Sequence, residues 1–173
     1  MQDDPNIESM GKGMTMIAWI ITIVLLTYFF AGVEERQVNP NQSPSSERLE
    51  NIIKVELKRN RYGHYVTNGE VDHKAVVFLL DTGATNVAIP GAIEGYLNLK
   101  RGQKYFVNTA NGTAVAYDTK IDSIRIGEII LYNVRASINP SMEGEEILLG
   151  MSALKQVEFR QKGNQLTLIQ DLR

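Results

Sequence analysis

Cysteine is absent from this chain of 173 residues, which removes disulfides, thiol catalysis and thiolate metal sites at once. Histidine is scarce: only His64 and His73 occur, without metal-ligand spacing, and both are expected at strand edges or turns. No glycine-rich phosphate loop follows a strand, and no Ser-His-Asp arrangement is readable. A surplus of positive charge is missing too. Residues 34–173 hold 17 acids against 17 bases, and a neutral domain without a basic stripe argues against nucleic-acid binding. Apolar residues at 43% and charged residues at 22% are a globular balance. The length suits one domain, and no internal repeat is visible.

What is present begins with Met14 to Ala31, 18 residues without a charge. As a helix this stretch spans about 27 Å, and Gly13, Gly32 and Val33 extend it to the ~30 Å of a hydrocarbon core. Tyr28, Phe29 and Phe30 lie where an interfacial aromatic belt would be. A cleaved signal peptide fits poorly. The preceding residues are acidic, the apolar run is long, and Phe29 or Phe30 would occupy the −3 position of any nearby cleavage site. The expectation is a single-pass membrane helix over 14–33, preceded by a polar, disordered tail over 1–13. Lys12 on one side and Arg36 and Arg48 on the other leave its orientation unspecified by charge.

Residues 34–47 hold two prolines, three serines and one apolar residue, Val38, and are expected to form a flexible linker. From Arg48 onward the pattern becomes short strands separated by turn residues. Strands are expected near Ile52–Leu57, Tyr62–Val71 (with a turn signal at Thr67-Asn68-Gly69), Ala75–Leu80 and Val87–Ile89, with Val71-Asp72-His73-Lys74 turning the chain into the third of these. A hairpin over Gln103–Tyr117 has its tip at Asn111-Gly112. Lys120–Ile126, Leu131–Ile138 and Ile147–Gly150 follow, and Val157–Gln161 with Gln165–Ile169 closes the series. Within Leu131–Ile138, Tyr132, Val134, Ala136 and Ile138 are expected to share the buried face. Brief helical turns are expected over Ala92–Leu99 and Met151–Lys155. About nine strands in 48–173 imply an all-β barrel or sandwich. Asn41-Gln42-Ser43 and Asn111-Gly112-Thr113 match the glycosylation acceptor pattern, which recurs by chance; a glycan on the second would obstruct the hairpin.

The most informative stretch is Ala75-Val76-Val77-Phe78-Leu79-Leu80-Asp81-Thr82-Gly83-Ala84-Thr85. An apolar run drives into an acid, Gly83 permits a tight turn after it, and a second apolar segment, Val87-Ala88-Ile89, leads away. A carboxylate at the end of a core strand is costly unless the fold uses it, and such conflicts mark functional sites. Asp72, Asp118, Asp122 and Asp171 lack both the apolar approach and the glycine turn, and are expected to be surface or turn acids.

Asp81-Thr82-Gly83, the hairpin 108–114, Asp122-Ser123-Ile124-Arg125-Ile126-Gly127 and Leu148-Leu149-Gly150-Met151-Ser152-Ala153-Leu154 together resemble the retropepsin-like aspartic proteases. The similarity is close to the bacterial, membrane-anchored, single-domain members and covers about residues 60–170. It implies an all-β, single-lobe closed barrel with a flap hairpin and one short helix. It also implies peptide hydrolysis by two carboxylates sharing a proton, with no cofactor or metal. Such a pair supplies a general base for water and a general acid for the amide. One Asp-Thr-Gly per chain then implies a homodimer, with Asp81 from each subunit at the two-fold axis.

The resemblance assigns Thr82, Gly83, Ala84 and Thr85 to the support of the active-site loop. It assigns Thr109, Ala110, Asn111 and Gly112 to a flap that closes on a peptide substrate, and Leu148, Leu149 and Gly150 to packing behind the loop. It also suggests a bacterial inner membrane, with the catalytic domain outside the cytoplasm. Ala84 departs from pepsin-like enzymes, which carry Ser or Thr there. Without that hydroxyl donor the carboxylate pKa should be higher, so activity is expected at mildly acidic to near-neutral pH. The competing reading is a catalytically silent module of the same fold, held at the membrane.

Overall fold

The structure is a computed structural model that describes residues 5–109 and 112–172, with side chains from residue 12 onward. The chain divides into two compact units, Met1–Gln37 and Val38–Arg173.

The first unit is built on one helix, α1 (Pro5–Val38). Its segment Lys12–Val38 is long and apolar enough to cross a membrane, and none of it is buried against protein. The hydroxyls of Thr22 and Thr27 donate to Ala18 O and Ile23 O, both at 2.8 Å. Bonding back to the preceding turn lets these two polar residues sit in an apolar run. Phe29 and Phe30 pack edge to face at 5.6 Å. The polar tail expected over 1–13 is helical from Pro5; residues 1–4 lie outside the described residues.

The flexible linker expected over 34–47 is not observed. Glu34–Val38 complete α1, Asn39 and Asn41 are buried, and Ser45–Arg48 forms strand β1. Polar composition misled here because the asparagines face backbone rather than water. Asn41 Nδ2 donates to Lys58 O at 2.9 Å and Val66 O at 2.7 Å, while its Oδ1 accepts from Lys58 N at 2.6 Å. The Asn41 carbonyl accepts from Asn68 N and from Thr67 Oγ1. Asn39 Nδ2 donates to Asn68 Oδ1 at 2.7 Å, and Asn60 Nδ2 donates to Val38 O at 2.9 Å. Each asparagine thereby replaces ladder partners that an irregular segment lacks. Burial of the Asn41 amide also removes it as a glycan acceptor.

The second unit is mostly β. After β1 come β2 (Ile52–Lys58), β3 (Tyr65–Val71), β4 (Lys74–Leu80), β5 (Val87–Pro90), β6 (Lys104–Thr109) and β7 (Gly112–Ile126). Then follow β8 (Ile129–Asn139), β9 (Ile147–Leu149), β10 (Glu158–Lys162) and β11 (Gln165–Asp171). Two four-residue helices, α2 (Glu94–Leu97) and α3 (Met151–Leu154), interrupt them. A four-stranded sheet has the order β1-β2-β11-β10, and a seven-stranded sheet has the order β3-β4-β9-β5-β8-β7-β6. Pairing of Glu70 and Val71 on β3 with Arg125 and Ile124 on β7 returns the larger sheet on itself. Ile53, Val55, Leu57, Phe78, Ile121, Ile124, Leu131, Ile147, Leu149 and Leu168 belong to one core shared by both sheets.

Three details depart from the sequence pattern. Thr67-Asn68-Gly69 makes no turn: β3 runs through it, and the chain reverses only at the turn expected over 71–74, where Asp72 and His73 have φ of 47° and 65°. Gly69 serves a crossing instead. A Cβ there would lie 2.4 Å from Arg125 O and 2.7 Å from the Phe78 ring, so only glycine allows β3 to meet β7. In β8, Asn133 adopts φ 54° and shifts the alternation by one. Leu131 and Val134 are buried while Tyr132 is exposed. Asparagine tolerates the left-handed region that a β-branched residue would not. Finally, β7 continues unbroken through 118–119, where two separate strands were expected.

Candidate active site

Strand β4 delivers Asp81 and β5 leads away, and β9 inserts between them. Its residues Ile147, Leu148 and Leu149 pair in parallel with Phe78, Leu79 and Leu80, and Leu148 also pairs with Ala88. The loop 81–86 is therefore fastened at its base to a third strand distant in sequence. Asp81 N donates to Leu149 O at 3.2 Å, Met151 N to Ala84 O at 2.8 Å, and Ser152 N to Thr85 O at 2.9 Å. The start of α3 thus satisfies the loop carbonyls with its otherwise unpaired N–H groups.

Gly150 makes this approach possible. A Cβ there would meet Asn86 O at 2.3 Å and Ala84 O at 2.6 Å, both backbone atoms that cannot step aside. Leu149 beside it is fully buried, and Leu148 is half-buried. Leu149 and Gly150 thus lie against the backbone of Asp81, Ala84 and Asn86 in the loop.

The carboxylate itself turns inward on its own loop: Gly83 N donates to Asp81 Oδ1 at 2.8 Å. A Cβ at Gly83 would stand 3.1 Å from that oxygen, so a larger residue would crowd the hydrogen bond. In the single chain Asp81 is half-buried, Thr82, Gly83 and Thr85 are exposed, and Ala84 is half-buried. The run feeding the site is less covered than its composition suggested. Only Phe78 of β4 is fully buried, with Val77, Leu79 and Leu80 half-buried.

The other acids lie elsewhere. Asp72 precedes β4 at the end opposite Asp81 and accepts Ser123 N at 2.7 Å. Asp118 pairs with Arg135 at 3.2 Å on the surface, while Asp122 and Asp171 are exposed. None shares the loop that carries Asp81. Among the described residues no group of three His, Asp or Glu side chains could hold a metal ion.

The hairpin of β6 and β7 pairs Thr109 with Gly112. Gly112, with φ 107°, therefore closes the turn instead of standing inside it. Thr109 Oγ1 donates to Gly112 O at 2.8 Å. Ala110 and Asn111 lie outside the described residues. Asn108, Thr109, Gly112 and Thr113 are exposed, as is Phe106 on the β6 arm.

One residue escaped the sequence reading. Ser152 is buried; its Oγ accepts from Val87 N at 3.0 Å and donates to Arg135 O at 2.7 Å. It ties the exit of the Asp81 loop to β8. Only its place two residues after Leu149-Gly150 hinted at this, since a buried serine has no periodic signature.

Comparison with known proteins agrees with this geometry. The family model for the gag-polyprotein aspartyl protease matches residues 67–156, a span that contains both the Asp81 loop and Gly150. A retropepsin-like aspartic protease from Rickettsia conorii superposes with a TM-score of 0.60 at 25% identity. The match covers 75% of this chain and 97% of that one. An uncharacterised protein from the cobV 5′ region of a Sinorhizobium species is 29% identical over 164 residues, 87% of this chain and 70% of its own length. A loop carrying Asp-Thr-Gly, fastened through a Leu-Leu-Gly strand within a mostly β fold, places this chain in the retropepsin-like aspartic protease family.

Proposed function

We propose that the chain is an aspartic endopeptidase that acts as a homodimer, anchored to a bacterial inner membrane by α1, with its catalytic domain outside the cytoplasm. One observation carries the reading. The Asp81 loop is rigidly positioned from behind, yet Thr82, Gly83 and Thr85 at its front are exposed. A single loop holding a single acid is half of a machine that needs two. A second copy would bring its own Asp81 alongside, and Thr82 and the small Gly83 would let the two loops meet. The half-covered Val77, Leu79 and Leu80 fit the same arrangement.

In that dimer two adjacent carboxylates share one proton, because both cannot ionise at close range. The ionised member takes a proton from water as its oxygen attacks the peptide carbonyl. The protonated member gives its proton to the carbonyl oxygen, and the roles reverse as the amine departs. Substrate would lie extended between the loop floor and the β6–β7 hairpins, whose Thr109 to Gly112 ends would close over it and exclude water.

The test is the Asp81→Asn variant of the full chain. Cleavage of a peptide library should fall by about three orders of magnitude or more, with unchanged thermal unfolding and a pepstatin-type inhibitor silencing the parent protein alone. Persistent cleavage by the variant would refute the assignment. A strict monomer by sedimentation in detergent, coupled with no cleavage by the parent, would favour a silent module instead.

A further inference from the structure

We propose that the short connection limits the height the site can reach above the bilayer, so that its substrates are extended juxtamembrane segments of bilayer-anchored proteins. This rests on the membrane-anchored protease reading of the preceding section. The observation is the length of chain that joins the charge-free stretch to the second unit. Helix α1 ends at Val38, the second unit begins at that same residue, and Asn39 is already buried in it. Nor can the next residues peel away to lengthen the connection. Val38 O, the Asn39 and Asn41 side chains and Gln42 O are all bonded to Lys58, Asn60, Val66 or Asn68. Strand β1 then holds Ser45–Arg48 against β2 in four consecutive pairs.

Chain arithmetic gives the reach. The charge-free stretch ends at Val33, and the five helical residues Glu34–Val38 rise about 7 Å, the depth of one headgroup layer. A domain of this size has a radius of gyration near 14 Å, hence a diameter of about 37 Å. At any tilt of the helix, every point of the domain stays within roughly 45 Å of the hydrocarbon boundary. Fourteen free residues, by contrast, would have added up to about 48 Å when extended. A bond presented far above that height on a stiff stalk is out of reach. One near the membrane gains from confinement of both partners to the same surface.

The experiment reconstitutes the full chain in vesicles with substrates that carry a membrane helix, a polyproline spacer of 5 or 25 residues and one cleavable extended sequence. The spacers stand about 16 and 78 Å tall. The parent chain should cut the short-spacer substrate at least fivefold faster than the long one. A Gly/Ser insert of 30 residues between Gln37 and Val38 should erase that preference, while both chains cut the same sequence equally as a free peptide. Equal rates on the two spacers by the parent chain, with the free peptide cut, overturn the height limit and leave the protease reading standing. So does a preference that survives the insert. If the insert alone abolishes cleavage of the free peptide, the parent's spacer preference still decides. No cleavage of the free peptide by the parent chain overturns the protease reading itself.

Discussion

A Cβ placed on Gly150 would lie 2.3 Å from one backbone oxygen and 2.6 Å from another, whereas one placed on Gly112 would meet nothing within 4 Å. The first glycine sits where β9 and α3 fasten the Asp81 loop, the second where the exposed hairpin turns back. Both are required, for unrelated reasons. Gly150 is set by close approach of backbone to backbone, Gly112 by a φ of 107° that side chains rarely adopt. The difference separates a region built to hold an atom still from one with little packed against it. The acid is positioned by buried neighbours; at the hairpin end Thr109 bonds to Gly112 and Thr113 to Asn108, within the hairpin itself. Local stability should follow the same division.

Gly150→Ala should break the comparison most severely. The new methyl cannot displace Asn86 O or Ala84 O without moving the loop, so a cost of about 3 kcal/mol is expected, as for overpacked cores. Thermal unfolding should fall by about 10 °C, and peptide cleavage should be lost along with it. A variant with parental melting and activity would show that the loop is not fastened through this contact.

Ser152→Ala sharpens the same side of the comparison. It strands the Val87 N–H, which the Ser152 hydroxyl otherwise accepts, in a buried setting. An unpaired buried donor costs about 1–3 kcal/mol. Denaturant titration should register that loss, and kcat should drop more than KM rises, because the loop and not substrate contact is loosened. Unchanged stability would mean that the Val87 N–H finds another acceptor.

Gly112→Ala tests the other side. The positive φ there costs a side chain about 1–2 kcal/mol, but the strain falls on an exposed hairpin end. Melting should move by only a few degrees, while kcat/KM should fall severalfold if the hairpin closes on substrate. A melting loss as large as that of Gly150→Ala would erase the distinction between the two regions.

Much of this was legible in the sequence because it depends on local pattern. Asp81 after an apolar run, Leu148-Leu149-Gly150 and the strand series are one-dimensional signals, and the structure realises them. What stayed hidden depends on encounters between distant residues. Gly69 reads as a turn until β7 is seen crossing it. Asn39 and Asn41 read as linker until Lys58 and Val66 offer them backbone partners. Ser152 carries no periodic signature, and only the meeting of Val87 with Arg135 gives its hydroxyl a role. Polar and small residues carry opposite meanings in solvent and against backbone, and composition alone does not distinguish the two. The degree of exposure at Asp81 was misjudged for a related reason: β4 is apolar, yet in one chain only Phe78 is fully covered.

The smallest effect expected is chemical. Ala84 N donates to Asp81 O at 3.3 Å and Ala84 O accepts from Met151 N, so the backbone at this position is already committed, and its methyl offers the carboxylate nothing. Ala84→Ser would add a hydroxyl on the same loop without altering those bonds. A hydroxyl donating to the carboxylate would add one hydrogen bond to the loop, worth about 1.4 kcal/mol or a factor of ten. Melting should therefore stay within about 3 °C of the parent, and kcat/KM should change by no more than about tenfold. Parental kcat/KM and melting would mean that the added hydroxyl does not reach the carboxylate, whose Oδ1 already accepts from Gly83 N.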